Sequence, residues 1–212
     1  MKNTSVIKLI EETKIIPVIA IDNADQALPL ADALIAGGIP IVEITFRTDA
    51  AAEAIRIIAK ERPEVLIGAG TVLTVDTLHR AIDSGAKFAV APGLNPKVVG
   101  EAARLDFQFS PGIMTPSDIE IAVGLGVRLF KYFPAEAAGG IKLLKSISAP
   151  YAHLGLKFIP TGGITPTNMN DYLGSSTVAA IGGTWLAKQA MIAQGEWDEI
   201  TRNCQEAVNI AR

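Results

Sequence analysis

The chain has 212 residues, of which 49% are hydrophobic and 19% are charged. This composition predicts a single compact domain over residues 1–212 with a substantial buried core, and it excludes intrinsic disorder. The formal net charge of −3 gives no support to a nucleic-acid or anionic-membrane partner, because both favour basic surfaces, so any bound anion needs a local site.

Strand-like apolar runs alternate with helical patterns along the whole chain. The first fourteen residues predict an extra helix outside the repeat. The predicted strands are 15–21, 39–46, 65–68, 88–90, 107–110, 129–133, 158–161 and 178–182. Such runs, each followed by a helix, favour an α/β fold of the (β/α)8 TIM-barrel type. An open doubly wound sheet shares the alternation, but no GxGxxG turn follows the first strand, which disfavours it.

Three Xaa-Pro pairs predict helix starts. Asn95-Pro96, Thr115-Pro116 and Thr165-Pro166 each place a capping side chain before a proline at the first helical position. These starts fall where helices are needed between predicted strands, so they support the barrel.

Metal and redox chemistry have little support in the sequence. Cys204 is the only cysteine, so an intrachain disulfide and a CxxC motif are excluded. His79 and His153 are the only histidines and belong to no HxH or HExxH pattern. We therefore expect no histidine-rich catalytic metal site. Signal-peptide and membrane-spanning patterns are also missing, so a cytoplasmic location is expected.

The second predicted strand carries two ionisable residues on one face. In the segment IVEITFRTD, strand alternation places Glu43, Thr45 and Arg47 on the same side. In a barrel, reactive groups lie where strands end and the following loops begin. Glu43 and Arg47 are therefore candidates for the site, and a purely structural ion pair between them is an equal alternative.

Lys131 lies in the apolar segment LFKYFP, where a lysine is costly to bury without a reason. Burial disfavours the charged form of a lysine and leaves a larger fraction as free amine, which is the nucleophilic form. A free amine forms an imine with a keto group, and the imine then accepts electrons from a breaking carbon–carbon bond. A structural pair with Glu43 is an alternative of equal weight at this point.

Two glycine pairs follow the last two predicted strands. They are Thr161-Gly162-Gly163 and Gly182-Gly183-Thr184. Barrel enzymes often bind phosphate in the loops after strands seven and eight, where glycines let backbone N–H groups approach the phosphate oxygens. Together the two pairs indicate a phosphate site.

Eight short segments, in order from about residue 15 to residue 187, carry a family resemblance: PVIAI, VEITFRT, IGAGTVL, APGLNP, FSPGIMTP, FKYFPAE, FIPTGGI and IGGTWL. The chain resembles the 2-keto-3-deoxy-6-phosphogluconate aldolase / 4-hydroxy-2-oxoglutarate aldolase family. The resemblance implies a cofactor-free class I aldolase that forms a homotrimer. It implies cleavage of 2-keto-3-deoxy-6-phosphogluconate to pyruvate and glyceraldehyde 3-phosphate, a step of the Entner-Doudoroff pathway. It extends to 4-hydroxy-2-oxoglutarate, which gives pyruvate and glyoxylate.

The same resemblance assigns expected roles to individual residues. It implies that Lys131 forms the Schiff base, that Glu43 shuttles protons, and that Arg47 and Thr71 hold the carboxylate of the pyruvate portion. The remaining substrate-binding residues are then Pro92 and Phe133 in the pocket walls, Thr161 at the bound substrate, and Gly162, Gly163, Gly183 and Thr184 around the phosphate. Serine is more frequent in the family at the position of Thr184; threonine keeps the hydroxyl and adds a methyl group.

Two alternatives differ in what they require. A barrel phosphosugar isomerase or phosphate-handling synthase would use the glycine loops without a nucleophilic Lys131. A non-catalytic trimeric scaffold would tolerate the loss of Glu43 and Lys131, yet both are present together with Arg47. The sequence leaves open the preferred substrate among phosphogluconate-, phosphogalactonate- and hydroxyglutarate-derived keto acids, because these differ only in one hydroxyl configuration or a terminal group.

Overall fold

The computed structural model describes residues 3–211, in which parallel strands alternate with helices. The strands are β1 (Ile15–Ile19), β2 (Ile41–Thr45), β3 (Leu66–Gly70), β4 (Phe88–Val90), β5 (Gln108–Ser110), β6 (Gly112–Ile113), β7 (Leu129–Tyr132), β8 (Lys157–Pro160) and β9 (Ile181–Gly183). The α-helices are α1 (Asn3–Thr13), α2 (Ala27–Ala36), α3 (Ala51–Glu61), α4 (Val75–Asp83), α5 (Pro96–Arg104), α6 (Pro116–Gly124), α7 (Ala135–Ala138), α8 (Gly140–Ser148), α9 (Met169–Leu173), α10 (Gln189–Gln194) and α11 (Trp197–Ala211). Short 3₁₀ helices cover Ala24–Gln26 and Ala149–Leu154.

The strands form a curled parallel sheet in two hydrogen-bonded parts. One part has the order β5-β4-β3-β2-β1-β9, and the other has the order β6-β7-β8. Parallel bridges between Phe158 and Val178 and between Thr161 and Gly182 link the end of β8 to the β9 segment. The predicted α/β class with parallel strands is confirmed.

Every predicted run overlaps an observed strand, with two differences in detail. The fifth run is followed by the additional short strand β6, and Pro111 separates it from β5. Proline has no backbone N–H to donate, so it interrupts the ladder at this point. The last predicted run begins at Val178, whereas β9 begins at Ile181.

The helix boundaries agree with two of the three predicted caps. Asn95 and Thr115 each accept a backbone hydrogen bond at the start of α5 and α6, with proline in the first turn. Thr165 does not start a helix, because α9 begins only at Met169. The N–H of Thr165 instead donates to the side chain of Asn168 at 2.8 Å, a local turn that competes with helix formation.

The N-terminal helix α1 packs against the sheet. Its Val6 and Ile10 are buried, and it contacts β1 and β5. Lys14, with φ of 62°, follows the helix in the left-handed region. Met1 and Lys2, the first two residues of the predicted helix, lie outside the described residues. Within residues 3–211, no helix has both the length and the hydropathy needed to cross a bilayer.

Candidate active site

A cavity of about 130 Å³ opens where the parallel strands end. It is lined by Val18, Glu43, Thr45, Arg47, Thr71, Pro92, Lys131, Phe133, Thr161, Gly162, Gly163, Ile164, Gly182 and Thr184. The structure thus brings together all the predicted site residues except Gly183. The carboxyl ends of parallel strands are where barrel enzymes place their reactive groups.

Lys131 and Glu43 form a buried ion pair across the interior of the strand array. Lys131 lies on β7 and Glu43 on β2, strands that are not neighbours in the sheet. The Nζ of Lys131 donates to the two carboxylate oxygens of Glu43 at 3.0 and 3.3 Å. Only 6% of Lys131 and 3% of Glu43 are exposed. A carboxylate at this distance is placed to exchange protons with the amine or with a molecule bound to it.

Arg47 is held by Thr45 rather than by Glu43. The Nε of Arg47 donates to the Oγ1 of Thr45 at 3.0 Å, and that hydroxyl donates to the carbonyl of Ile19 at 2.9 Å. Among the ion pairs of residues 3–211, none involves Arg47. The alternative of a structural Glu43–Arg47 pair is therefore wrong. The rest of the guanidinium is left for a ligand at the cavity, and a forked guanidinium suits a carboxylate.

Thr45 is a site residue that the sequence reasoning did not single out. It is buried, lines the cavity, and orients Arg47 through its hydroxyl. The alternation along β2 placed it on the same face as Glu43, and that was the available signal. Its partner Ile19 lies on β1, so the hydrogen bond is not readable from the segment alone.

Thr71 immediately follows β3 and has a φ of 58°, in the left-handed region that a β-branched residue rarely occupies. Backbone conformations of this kind cost of order 1–3 kcal/mol and cluster at functional sites. Thr71 lines the cavity, as Arg47 does. The role predicted for Thr71 at the substrate carboxylate stays a prediction.

Phe133 and Pro92 contribute the walls predicted for them. The Nζ of Lys131 lies 6.0 Å from the centre of the Phe133 ring. Both residues line the cavity. The ring of Phe133 therefore borders the space around the amine on one side.

The loop after β8 is a tight glycine turn. Gly162 and Gly163 have φ values of 101° and 78°, which favour glycine. A Cβ on Gly163 would lie 2.6 Å from the Cβ of Glu136, so a side chain there has no room. The N–H of Glu136 also donates to the carbonyl of Gly162 at 3.0 Å. The turn is thereby fastened to helix α7.

The carboxylate of Glu136 is held in turn by Tyr172. The buried hydroxyl of Tyr172 donates to Oε1 of Glu136. Burial, with a further contribution from Glu136, raises the pKa of Tyr172. The tyrosine therefore stays protonated and keeps donating, which stabilises the support of the glycine turn.

Gly182 takes the place in the cavity wall that the sequence suggested for Gly183. A Cβ on Gly182 would overlap the Oγ1 of Thr161, whereas one on Gly183 would overlap the ring of Trp185. Thr161 is buried and faces the cavity, and Thr184 is exposed at its rim. The side of Gly183 that would carry a Cβ thus faces Trp185. The predicted phosphate role of Gly183 stays a prediction that concerns its backbone N–H.

The histidines lie away from this cavity. His79 on α4 pairs with Glu101 on α5 at 2.7 Å, and Arg104 contacts the same carboxylate. These partners, Arg104 first, lower the pKa of Glu101 to about 2. Within residues 3–211, no group of three or more His, Cys, Asp or Glu side chains is arranged to hold a metal ion.

Comparison with known proteins agrees with this geometry. The family model described as KDPG and KHG aldolase matches residues 6–203. The 2-dehydro-3-deoxy-phosphogluconate aldolase of Haemophilus influenzae is 47% identical over 207 residues, which cover 98% of this chain and 97% of that protein. The KHG/KDPG aldolase of Escherichia coli K12 is 42% identical over 214 residues, covering 100% of both.

A solved structure extends the likeness to the fold. The KDPG aldolase of Legionella pneumophila, with pyruvate captured at low pH as a covalent carbinolamine intermediate, has a TM-score of 0.90 to this chain. It is 38% identical, and the match covers 94% of this chain and 96% of that one. Since both the family model and full-length relatives match, the family resemblance is confirmed, and the chain belongs to the KDPG and KHG aldolase family.

Proposed function

We propose that this protein is a class I aldolase that cleaves 2-keto-3-deoxy-6-phosphogluconate to pyruvate and glyceraldehyde 3-phosphate through a Schiff base on Lys131. The observation that carries the proposal is the buried contact of the Lys131 Nζ with Glu43, 3.0 Å away, inside a cavity bordered by glycine loops. Family membership supports the same reaction.

The reaction begins at the amine of Lys131. Glu43 accepts the proton that the amine must lose, and the free amine attacks the C2 carbonyl. Glu43 returns this proton to the hydroxyl of the carbinolamine, which leaves as water, and an iminium remains on Lys131. This group accepts the electron pair of the C3–C4 bond while Glu43, directly or through a water, takes the proton of the C4 hydroxyl.

Glyceraldehyde 3-phosphate then leaves, and an enamine of pyruvate remains on Lys131. Glu43 returns a proton to C3 of the enamine, and water hydrolyses the resulting iminium to free pyruvate. General acid–base catalysis of this kind typically contributes about 10²–10⁴-fold to the rate. Glu43 is therefore assigned the proton transfers at the amine, at the carbinolamine hydroxyl, at the C4 hydroxyl and at C3, and Lys131 is assigned the covalent bond.

Two groups of residues hold the ends of the substrate. Arg47 and Thr71 bind the carboxylate next to the reacting ketone, and the walls from Pro92, Phe133 and Thr161 confine the chain of carbons. The phosphate is assigned to the backbone N–H groups of Gly162, Gly163 and Gly183 together with the hydroxyl of Thr184. The left-handed glycine turn after β8 and the glycine pair at the end of β9 support this assignment.

A second substrate, 4-hydroxy-2-oxoglutarate, is included in the proposal. The full-length match to a KHG/KDPG aldolase supports it. Cleavage would give pyruvate and glyoxylate by the same steps at Lys131 and Glu43. This substrate would leave the phosphate site empty. Its cleavage should therefore be insensitive to inorganic phosphate at concentrations that inhibit cleavage of the phosphorylated substrate.

We further propose a closed barrel, a single domain and a trimeric assembly for this chain. The strands form one closed (β/α)8 barrel and one domain, in which β5 and β6 act as a single strand interrupted at Pro111. The bridge between Thr161 and Gly182 supports closure on the other side. The family resemblance suggests a cytoplasmic homotrimer of the Entner-Doudoroff pathway; light scattering tests the trimer.

The first experiment is reductive trapping. The protein is incubated with pyruvate and borohydride, and its peptides are mapped by mass spectrometry. We expect a reduced pyruvate adduct on Lys131 that is lost in Lys131→Ala and kept in Lys145→Ala, a control at an exposed lysine of α8. A folded wild-type protein without an adduct would refute the proposal and favour the phosphosugar isomerase or the scaffold.

A further inference from the structure

Two consecutive inward positions of β3 are glycines, and neighbouring side chains occupy the space above both. Gly68 lies beneath the ring of Phe88, which a Cβ on Gly68 would overlap. Gly70 lies beneath the carboxylate of Glu43. The two glycines therefore leave space on the inner face of β3, and at Gly70, the end of the strand nearer the cavity, the carboxylate of Glu43 fills this space.

The fit at Gly70 is close. A Cβ there would overlap Oε1 of Glu43 and would lie 2.8 Å from both its Cδ and its Cγ. Real Cβ atoms essentially never come within 3.0 Å of a heavy atom outside their own residue and its chain neighbours. The side chain of Glu43 therefore takes its present position only because residue 70 has no side chain.

We infer that Gly70 is a positioning residue for the proton shuttle: its bare surface lets the Glu43 carboxylate reach Lys131. The inference rests on the proposed function, because it assigns Gly70 a role through Glu43. With an alanine at position 70, the carboxylate must leave the place where it now receives hydrogen bonds of 3.0 and 3.3 Å from the amine.

An alanine at this position should disturb the carboxylate more than the fold. The overlapping atoms belong to the outer part of a flexible side chain, and Gly70 does not have the positive φ that would strain an alanine. Its carbonyl accepts a hydrogen bond from the N–H of Phe46 at 2.8 Å, which an alanine keeps. At Gly68 the overlapping atoms are a ring in the core, 1% exposed, which has no such freedom.

Exchange of the pyruvate methyl hydrogens isolates the step that Gly70 should affect. In D2O, the pyruvate iminium on Lys131 loses a C3 proton to Glu43, and the electron pair forms the enamine. A deuteron from the exchanged carboxyl group then returns to C3. NMR measures this exchange, and borohydride trapping measures how much iminium is present, so their ratio reports the proton transfer alone.

The experiment compares Gly70→Ala with wild type and with Gly100→Ala, a glycine of α5 whose Cβ would meet nothing within 4 Å. We expect Gly70→Ala to trap pyruvate but to lose about 100- to 1,000-fold in exchange per trapped iminium, which is the lower part of the 10²–10⁴-fold that general acid–base catalysis typically contributes. Gly100→Ala should match wild type. An exchange ratio in Gly70→Ala within twofold of wild type would overturn the inference.

Truncation of Glu43 provides a second test, which also covers a folding failure. With Glu43→Ala the overlap disappears, so adding Gly70→Ala should change the remaining exchange by no more than about twofold, because the two changes share one cause. If Gly70→Ala folds only when Glu43→Ala is present, the inference is again supported. The inference would be refuted if Gly70→Ala lowered exchange per trapped iminium by the same factor with and without Glu43→Ala. It would also be refuted if Gly70→Ala failed to fold in both backgrounds. A wild type that neither traps nor exchanges would refute the proposed function itself.

Discussion

Replacement of Thr45 tests how the carboxylate-binding arginine is held. Its hydroxyl donates to the carbonyl of Ile19 at 2.9 Å and accepts from the Nε of Arg47 at 3.0 Å. Thr45→Val keeps the shape of the side chain and removes both bonds. Thr45→Ser keeps both bonds and removes only a methyl group, so it is the matched control.

The expected magnitude follows from these two bonds. A hydrogen bond to a charged group contributes about 1.5–3 kcal/mol, but Arg47 is exposed, so water replaces part of it and about 1–2 kcal/mol remains. That corresponds to about a 5- to 30-fold weaker apparent affinity for pyruvate. The carbonyl of Ile19 also loses its donor, which should lower the free energy of unfolding by about 1–3 kcal/mol.

Two quantities are measured. One is the pyruvate concentration that gives half-maximal borohydride labelling of Lys131, and the other is KM for the cleaved substrate. Thr45→Val should raise both, and labelling at saturating pyruvate should persist because Lys131 is intact. Thr45→Ser should stay close to wild type. If the half-saturating pyruvate concentration of Thr45→Val were within twofold of the wild-type value, Thr45 would not set the position of Arg47. Equal weakening by Thr45→Ser would assign the effect to packing.

Three further outcomes follow from the geometry. Gly68→Ala forces a Cβ into the Phe88 ring and should lower stability by about 1–3 kcal/mol, seen as a Tm lower by about 2–12 °C; an unchanged Tm would contradict the packing. Burial raises the pKa of the Cys204 thiol to about 12, so at pH 8 a disulfide reagent should label the unfolded but not the native chain. The contribution of this thiol to the free energy of unfolding is therefore fully present below the ordinary thiol pKa of about 8.5. It should be lost as the pH rises from there towards 12. Arg47→Lys should raise KM for pyruvate-containing substrates, because an ammonium lacks the forked donors; an unchanged KM would remove Arg47 from the carboxylate site.

The membership of the cavity was largely predictable because strand alternation is a local property. The period of two along β2 places Glu43 inward, and a lysine inside an apolar run is itself an unusual signal. Parallel strands bring their carboxyl ends together whatever their exact lengths, so an error of a few residues at a strand end does not change which loops meet.

The details that the sequence did not predict depend on particular contacts, one between distant segments and one within a local turn. Which glycine of the pair lines the cavity depends on the register of β9, which is fixed by its parallel pairing with β1 and by the bridge from Gly182 to Thr161. A helix was predicted to start at Thr165, but a turn forms there because the side chain of Asn168 accepts the hydrogen bond of the Thr165 N–H. Neither a glycine pair nor a Thr-Pro pair carries this information.

A structural ion pair alone does not account for the surroundings of Lys131 and Glu43. Burying two charges costs several kcal/mol each, and packed apolar residues in their place are often neutral or more stable. Here the pair also borders an open cavity, and the next strand ends in a left-handed Thr71. Each of these features lowers stability, and a fold that needed only stability would not retain all three at one place. They are consistent with a site in which an amine, a carboxylate and a carboxylate-binding arginine must face the same small volume.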